Sequence, residues 1–134
     1  MKNNSRRNRN AGHSYEREKC KDFNIAGFTH VVTSRSESRS RDNQKVDLIN
    51  KNERMNGQLL YNVQCKNCSS KLNYNELLNE MPNESGIINV VFHKETKKSG
   101  TRFIKKAEYA ILHQKDFMRI IQDLEFYKSL SKIK

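Results

Sequence analysis

Four residues have the types and spacing to do chemistry: Glu16, Asp47, Gln64 and Lys66. Two carboxylates and an amide oxygen suit a hard divalent cation, and Mg²⁺ in particular keeps several waters beside one or two carboxylates. A cation held in this way polarises a phosphate oxygen and lowers the pKa of a bound water. Lys66, a compact charge, could orient that water or neutralise charge growing on the phosphate. The set points to Mg²⁺-dependent attack on a phosphodiester, with Mn²⁺ as a substitute.

The elements that must position these residues are legible in the pattern. Along Tyr61–Asn67, Tyr61, Val63 and Cys65 alternate with Asn62, Gln64 and Lys66, as in a strand with one apolar and one polar face. Burying that polar face is costly unless it lines a site. Lys45-Val46-Asp47-Leu48-Ile49 is a second short apolar run, and Asn56-Gly57 supplies a turn between the two. A hairpin of this kind brings Asp47 beside Gln64 and Lys66. Glu16 belongs to a helix expected over Tyr15–Ala26, with Ser14 as its cap, Cys20 and Phe23 on its apolar stripe and Gly27 at its end. It lies one turn before Cys20, near the edge of the buried face.

The remaining elements follow in order. Strands are expected at Phe28–Ser34, Val46–Ile49 and Gln58–Lys66, then a short helix at Tyr74–Met81 closed by Pro82. Ile87–His93 is the most apolar stretch and reads as an interior strand. A basic hairpin tip around Ser99-Gly100, a strand at Glu108–His113 and an amphipathic helix at Gln114–Leu130 close the chain. That last helix places Phe117, Ile120, Ile121, Leu124 and Tyr127 on one face. The order is helix, three strands, helix, two strands, helix: an α/β fold with a mixed β-sheet flanked by helices. Residues 12–134 read as a single domain, and residues 1–11 as a disordered basic arm.

Charge narrows the partner. The chain has 134 residues, 26 Lys+Arg against 15 Asp+Glu, and a net charge of +11, which favours a polyanion such as DNA. Candidate phosphate contacts are Arg6, Arg7 and Arg9 in the arm, Arg35, Arg39 and Arg41 in the Ser- and Arg-rich loop over Arg35–Gln44, and Lys97, Lys98 and Arg102 near the hairpin tip. No apolar run approaches the roughly 18–20 residues that span a bilayer. No secretory signal opens the chain, so a membrane partner is not expected and a cytoplasmic setting is. Three cysteines, an odd number, argue against a disulfide scaffold. Cys65-Lys66-Asn67-Cys68 is a rival claim on the same stretch, as a zinc or redox pair. Zinc would need two more ligands, and Cys20, His13, His30, His93 and His113 show no paired spacing.

Taken together, Gly12-(x)3-Glu16-Arg17, Val46-Asp47 and Gln64-Cys65-Lys66 resemble the PD-(D/E)xK nuclease pattern. The opening helix and spacing are similar to archaeal-type and phage Holliday-junction resolvases, and Val63–Lys66 resembles the QxK variant of Mrr-type restriction nucleases. The resemblance covers roughly residues 12–93. It implies a restriction-endonuclease-like fold and a homodimer that cuts branched DNA. It makes Glu16, Asp47 and Gln64 the metal-site residues and Lys66 the catalytic lysine. Val46 stands where the pattern has Pro, and Gln64 where it usually has an acid, which removes one negative charge from the metal site. The resolvases also place a Ser in the loop before the Asp, for which Ser36 and Ser38 are the candidates. Two alternatives remain: a restriction- or repair-type nuclease on linear duplex, and a catalytically degenerate basic nucleic-acid-binding protein.

Overall fold

The computed structural model describes residues 2–50 and 61–132. Helix α1 runs Lys2–Ile25, so it starts well before the expected Tyr15. Residues 2–10, expected as a disordered arm, form its first turns, and Ser14 is internal to it rather than its cap. No Pro and no β-branched side chain interrupts the helix before Ile25, so nothing local stops it from extending backwards. Gly27 ends it as expected, with φ +109°.

The chain continues through β1 (Val31–Thr33), α2 (Ser34–Glu37), α3 (Arg39–Asn43), β2 (Leu48–Asn50), β3 (Tyr61–Cys68), α4 (Tyr74–Glu80), β4 (Ile88–Ser99), β5 (Arg102–Ile111) and α5 (Gln114–Lys132). The expected loop at Arg35–Gln44 is instead largely two single-turn helices. Ser38 caps the second by accepting a hydrogen bond from the Arg41 N–H at 3.3 Å. The expected Asn56-Gly57 turn and the start of the Gln58 strand lie outside the described residues.

The five strands form one sheet in chain order. β1, β2 and β3 pair antiparallel, β4 joins β3 in parallel, and β5 returns antiparallel to β4. Parallel pairing requires a crossover, and α4 lies in the connection that makes it. The architecture is therefore α/β, a mixed sheet with flanking helices, as the pattern predicts. Both β4 and β5 run further than expected and form a long hairpin in which Ser99 faces Arg102 and Gly100 turns the chain at φ +64°.

Alternation along β3 divides the core in two. Val63 and Cys65 join Tyr15, Val31 and Leu48, with Cys20, Phe23 and Phe92 packed against them. On the other face Val46 and Val91 pack with Leu78 and Met81 from and beside α4. Tyr15 is 1% exposed and is the deepest residue of α1. Tyr15 packs in the same cluster as Cys20 and Phe23, to which the sequence reading confines the apolar stripe. The Tyr15 hydroxyl donates to Glu108 Oε2 at 3.3 Å, while Lys19 Nζ pairs with the same oxygen at 2.8 Å. The Lys19 hydrogen bond holds the Glu108 carboxyl down at about 2, and the trio ties α1 to β5. Helix α5 contributes no buried residue. No helix among the described residues is long and apolar enough to cross a membrane.

Candidate functional site

With Tyr15 locked in the core, the next residue, Glu16, emerges at the edge of α1 facing the start of β2. Its side chain is 12% exposed, and Arg35 Nε reaches its Oε2 at 3.4 Å. Burial raises the Glu16 pKa, and Arg35 opposes that rise.

Asp47 is held from several sides. Lys45 takes a left-handed backbone at φ +66°, a conformation costly for a side chain of its size, and turns the chain into β2. Ser34 is fully buried; its N–H donates to the Asp47 carbonyl at 2.8 Å, and its hydroxyl donates to the Val46 carbonyl. The Asp47 N–H donates to the Val63 carbonyl at 2.7 Å. Leu48↔Val63 is the register pair joining β2 to β3 among the described residues. Beyond it the Asp47 carboxylate takes over, its Oδ2 accepting the Cys65 N–H at 2.7 Å. The side chain thus fastens to the peptide that links Gln64 to Cys65. Its pKa is pushed up to about 7, first by burial. Glu16 and Asp42 raise it further, whereas the Cys65 N–H and the Lys66 ammonium pull it down. Glu16 and Lys66 are therefore both within electrostatic reach of Asp47.

Gln64 is 2% exposed and points toward α4, where its Nε2 lies 3.4 Å from Glu80 Oε2. Its Oε1 is buried and has no hydrogen-bond partner among the described residues. Lys66, half-buried, makes no hydrogen bond or ion pair among the described residues. The structure thus gathers Glu16, Asp47 and Lys66 electrostatically and puts Gln64 on the adjoining peptide. It adds Glu80, which the sequence did not single out, and Asn62, which spends its amide on Pro82, Glu84 and Asn89 rather than on a site.

Among the described residues no three His, Cys, Asp or Glu side chains converge as a metal centre. Gln64 turns to the α4 face of β3, away from the face that Cys65 shares with α1, so the oxygens that fit a hard cation are those of Glu16 and Asp47, two carboxylates whose pKa values are raised. Each is a destabilised group that a cation would relieve.

The other expectations resolve individually. Ser36 bonds Thr33 and Ser38 caps α3, so the serine that touches the Asp47 segment is Ser34. The rival zinc or redox pair does not form: Cys65 faces α1 and Cys68 the opposite face, three residues along an extended strand, roughly 10 Å apart and beyond disulfide reach. Cys68 instead meets His93 Nε2 at 3.7 Å, and His93 Nδ1 meets the Tyr74 hydroxyl at 3.0 Å, a packed histidine 2% exposed. Among the candidate phosphate contacts, Arg35 pairs with Glu16 and Arg41 with Glu84 at 3.0 Å. Arg6, Arg7, Arg9, Arg39, Lys97, Lys98 and Arg102 are exposed.

The fold and site define an α/β protein with a mixed sheet and two half-buried carboxylates, Glu16 and Asp47, within electrostatic reach of each other, with Lys66 near Asp47. Comparison with protein-family models, with curated proteins and with solved structures finds no match for this chain.

Proposed function

We propose that this protein is a metal-dependent endonuclease that hydrolyses DNA phosphodiester bonds, acting on branched DNA such as a four-way junction. The observation that carries the reading is Asp47: a carboxylate pushed to about 7 beside Glu16, fastened to the Gln64–Cys65 peptide, with Lys66 in reach. Supporting it, the element order runs helix, antiparallel β1–β3, helix, parallel β4. Glu16 is on the helix, Asp47 leads into β2, and Gln64 and Lys66 are on β3, the arrangement the PD-(D/E)xK resemblance implies.

Glu16 and Asp47 would hold Mg²⁺ or Mn²⁺, and Gln64, the third residue of the resemblance, would join them only by turning its side chain away from Glu80. When bound, the cation supplies Lewis-acid polarisation of the phosphate and a water of lowered pKa. The chain's own residues do the rest. Arg35 neutralises Glu16 in the metal-free site and is free to swing to a phosphate once a cation takes that role. Lys66, without an ion-pair partner among the described residues, offers its ammonium to charge developing on the phosphate oxygens. The test is cleavage with Mg²⁺ of a four-way junction, a linear duplex and a single strand. Junction cutting that Asp47→Ala abolishes with DNA binding retained is expected. Preferential cutting of linear duplex instead marks a restriction- or repair-type nuclease. Binding without cleavage by the wild type marks a degenerate site, a reading favoured by the engagement of Gln64 Nε2 with Glu80.

The same proposal includes a homodimer, since symmetric resolution needs two active sites. Helix α5 supports it by exposing Phe117, Leu124, Phe126, Tyr127 and Leu130, each 46–67% accessible, an apolar surface that a monomer leaves wet. Light scattering on the wild type should give twice the chain mass. Leu124→Glu with Tyr127→Glu should halve it and turn paired cuts into nicks; a monomeric wild type removes α5 as the interface.

A further inference from the structure

We propose that a groove between the N-terminal half of α1 and the β4–β5 hairpin binds an unpaired DNA strand and stacks one of its bases on Phe103. The groove has a volume of about 750 Å³ and is lined by Arg7, Asn67, Ser69, Lys94, Arg102 and Phe103 among others, a size that suits a small organic ligand. Asn67 Nδ2 donates to the Ala11 carbonyl at 3.3 Å and fixes α1 against β3 at its wall. Arg7 and Phe103 also line an adjoining hollow of about 530 Å³ that adds Lys98, so the track is longer than one compartment.

The chemistry selects the ligand. Phe103 is 51% exposed among cations, amides and hydroxyls, a poor position for an apolar ring unless a partner covers it. Lys94 is paired with Glu18 and Lys105 with Glu108, whereas Arg7 and Arg102 have no ion-pair partner among the described residues. Two unpaired guanidinium groups flanking an exposed ring match a phosphate backbone with a base on the ring. A duplex keeps its base faces stacked internally and offers the ring nothing, so a single strand is the occupant. Asn67, on the groove wall, follows Lys66 on β3, so the groove and the candidate site share that strand. The inference takes a DNA partner from the proposed function but requires no metal and no cleavage.

The test is therefore made in EDTA. The chain contains no Trp, so F103W supplies a single indole reporter while keeping an aromatic surface. Oligo-dT of about 12 nucleotides should quench its emission, and a duplex of the same length should not. Phe103→Ala should weaken oligo-dT binding by about tenfold and leave duplex binding unchanged. Arg7→Ala and Arg102→Ala should each flatten the salt dependence of oligo-dT binding by about 0.7. Emission from F103W that is unmoved at saturating oligo-dT overturns the proposal, as does equal weakening of both ligands by Phe103→Ala. Duplex binding by a wild type that ignores oligo-dT overturns the groove alone and leaves the endonuclease reading standing.

Discussion

Asp47→Asn should make the metal-free protein more stable at pH 8 while abolishing cleavage. A carboxyl raised from 3.8 to about 7 in the folded state binds its proton more tightly there than in the unfolded chain. The stability it contributes is fully present below about pH 4 and is lost as pH rises through about 7, a loss of roughly 3–4 kcal/mol. Asparagine keeps an oxygen for the Cys65 N–H and carries no charge at any pH. Urea midpoints in EDTA should therefore coincide for the two proteins near pH 4 and diverge in favour of Asp47→Asn by pH 8. Added Mg²⁺ should restore the wild type, because a ligand that binds only the folded state stabilises it, and leave the variant unmoved. A wild type with flat stability between pH 4 and pH 7 contradicts the burial of this carboxylate.

The opposite signs on stability and activity are what a functional site predicts. A structural carboxylate would be paired, as Glu108 is with Lys19, and its pKa would fall rather than rise. Asp47 instead lies near Glu16 and Asp42, which reinforce the effect of burial, and the cation that pulls it down, Lys66, forms no ion pair among the described residues. Protonation near neutral pH, or a cation bound beside the two carboxylates, relieves that arrangement.

The order of elements was readable because alternation and apolar spacing mark β3, β4, α4 and α5 locally. Asp47 and Lys66 could be singled out for the same reason, each being a charge within or beside a short apolar run. What escaped depends on distant contacts. The sequence reading gives Tyr15 no buried role, because that role depends on Glu108, 93 residues away, as partner for its hydroxyl. Ser34 was not among the loop candidates, Ser36 and Ser38, because its bonds to Val46 and Asp47 depend on contacts more than ten residues away. The split of Arg35 and Arg41 into ion pairs, against Arg7 and Arg102 without partners, likewise depends on which acids the fold brings near. The polar face of β3 was expected to line one site; α4 covers it instead, and Asn62 became part of that packing.

Gln64→Leu should also trade activity for stability. In the metal-free protein Gln64 Oε1 is a buried acceptor with no partner among the described residues, a defect that costs about 1–3 kcal/mol. Leucine has similar volume and removes the defect, at the loss of a long hydrogen bond from Nε2 to Glu80. Its denaturation midpoint in EDTA should match or exceed the wild type. If Gln64 is the third oxygen ligand, junction cleavage should fall by about 10³-fold, because several kcal/mol of charge stabilisation depend on the cation. Gln64→Glu is the complementary change. It adds an anionic ligand but places a carboxylate against Glu80, so it should destabilise the metal-free fold, tighten Mg²⁺ and retain cleavage at a lower metal optimum. A Gln64→Leu protein that cuts at the wild-type rate across a Mg²⁺ titration assigns the orphaned oxygen to packing, and leaves Glu16 and Asp47 as the whole oxygen set.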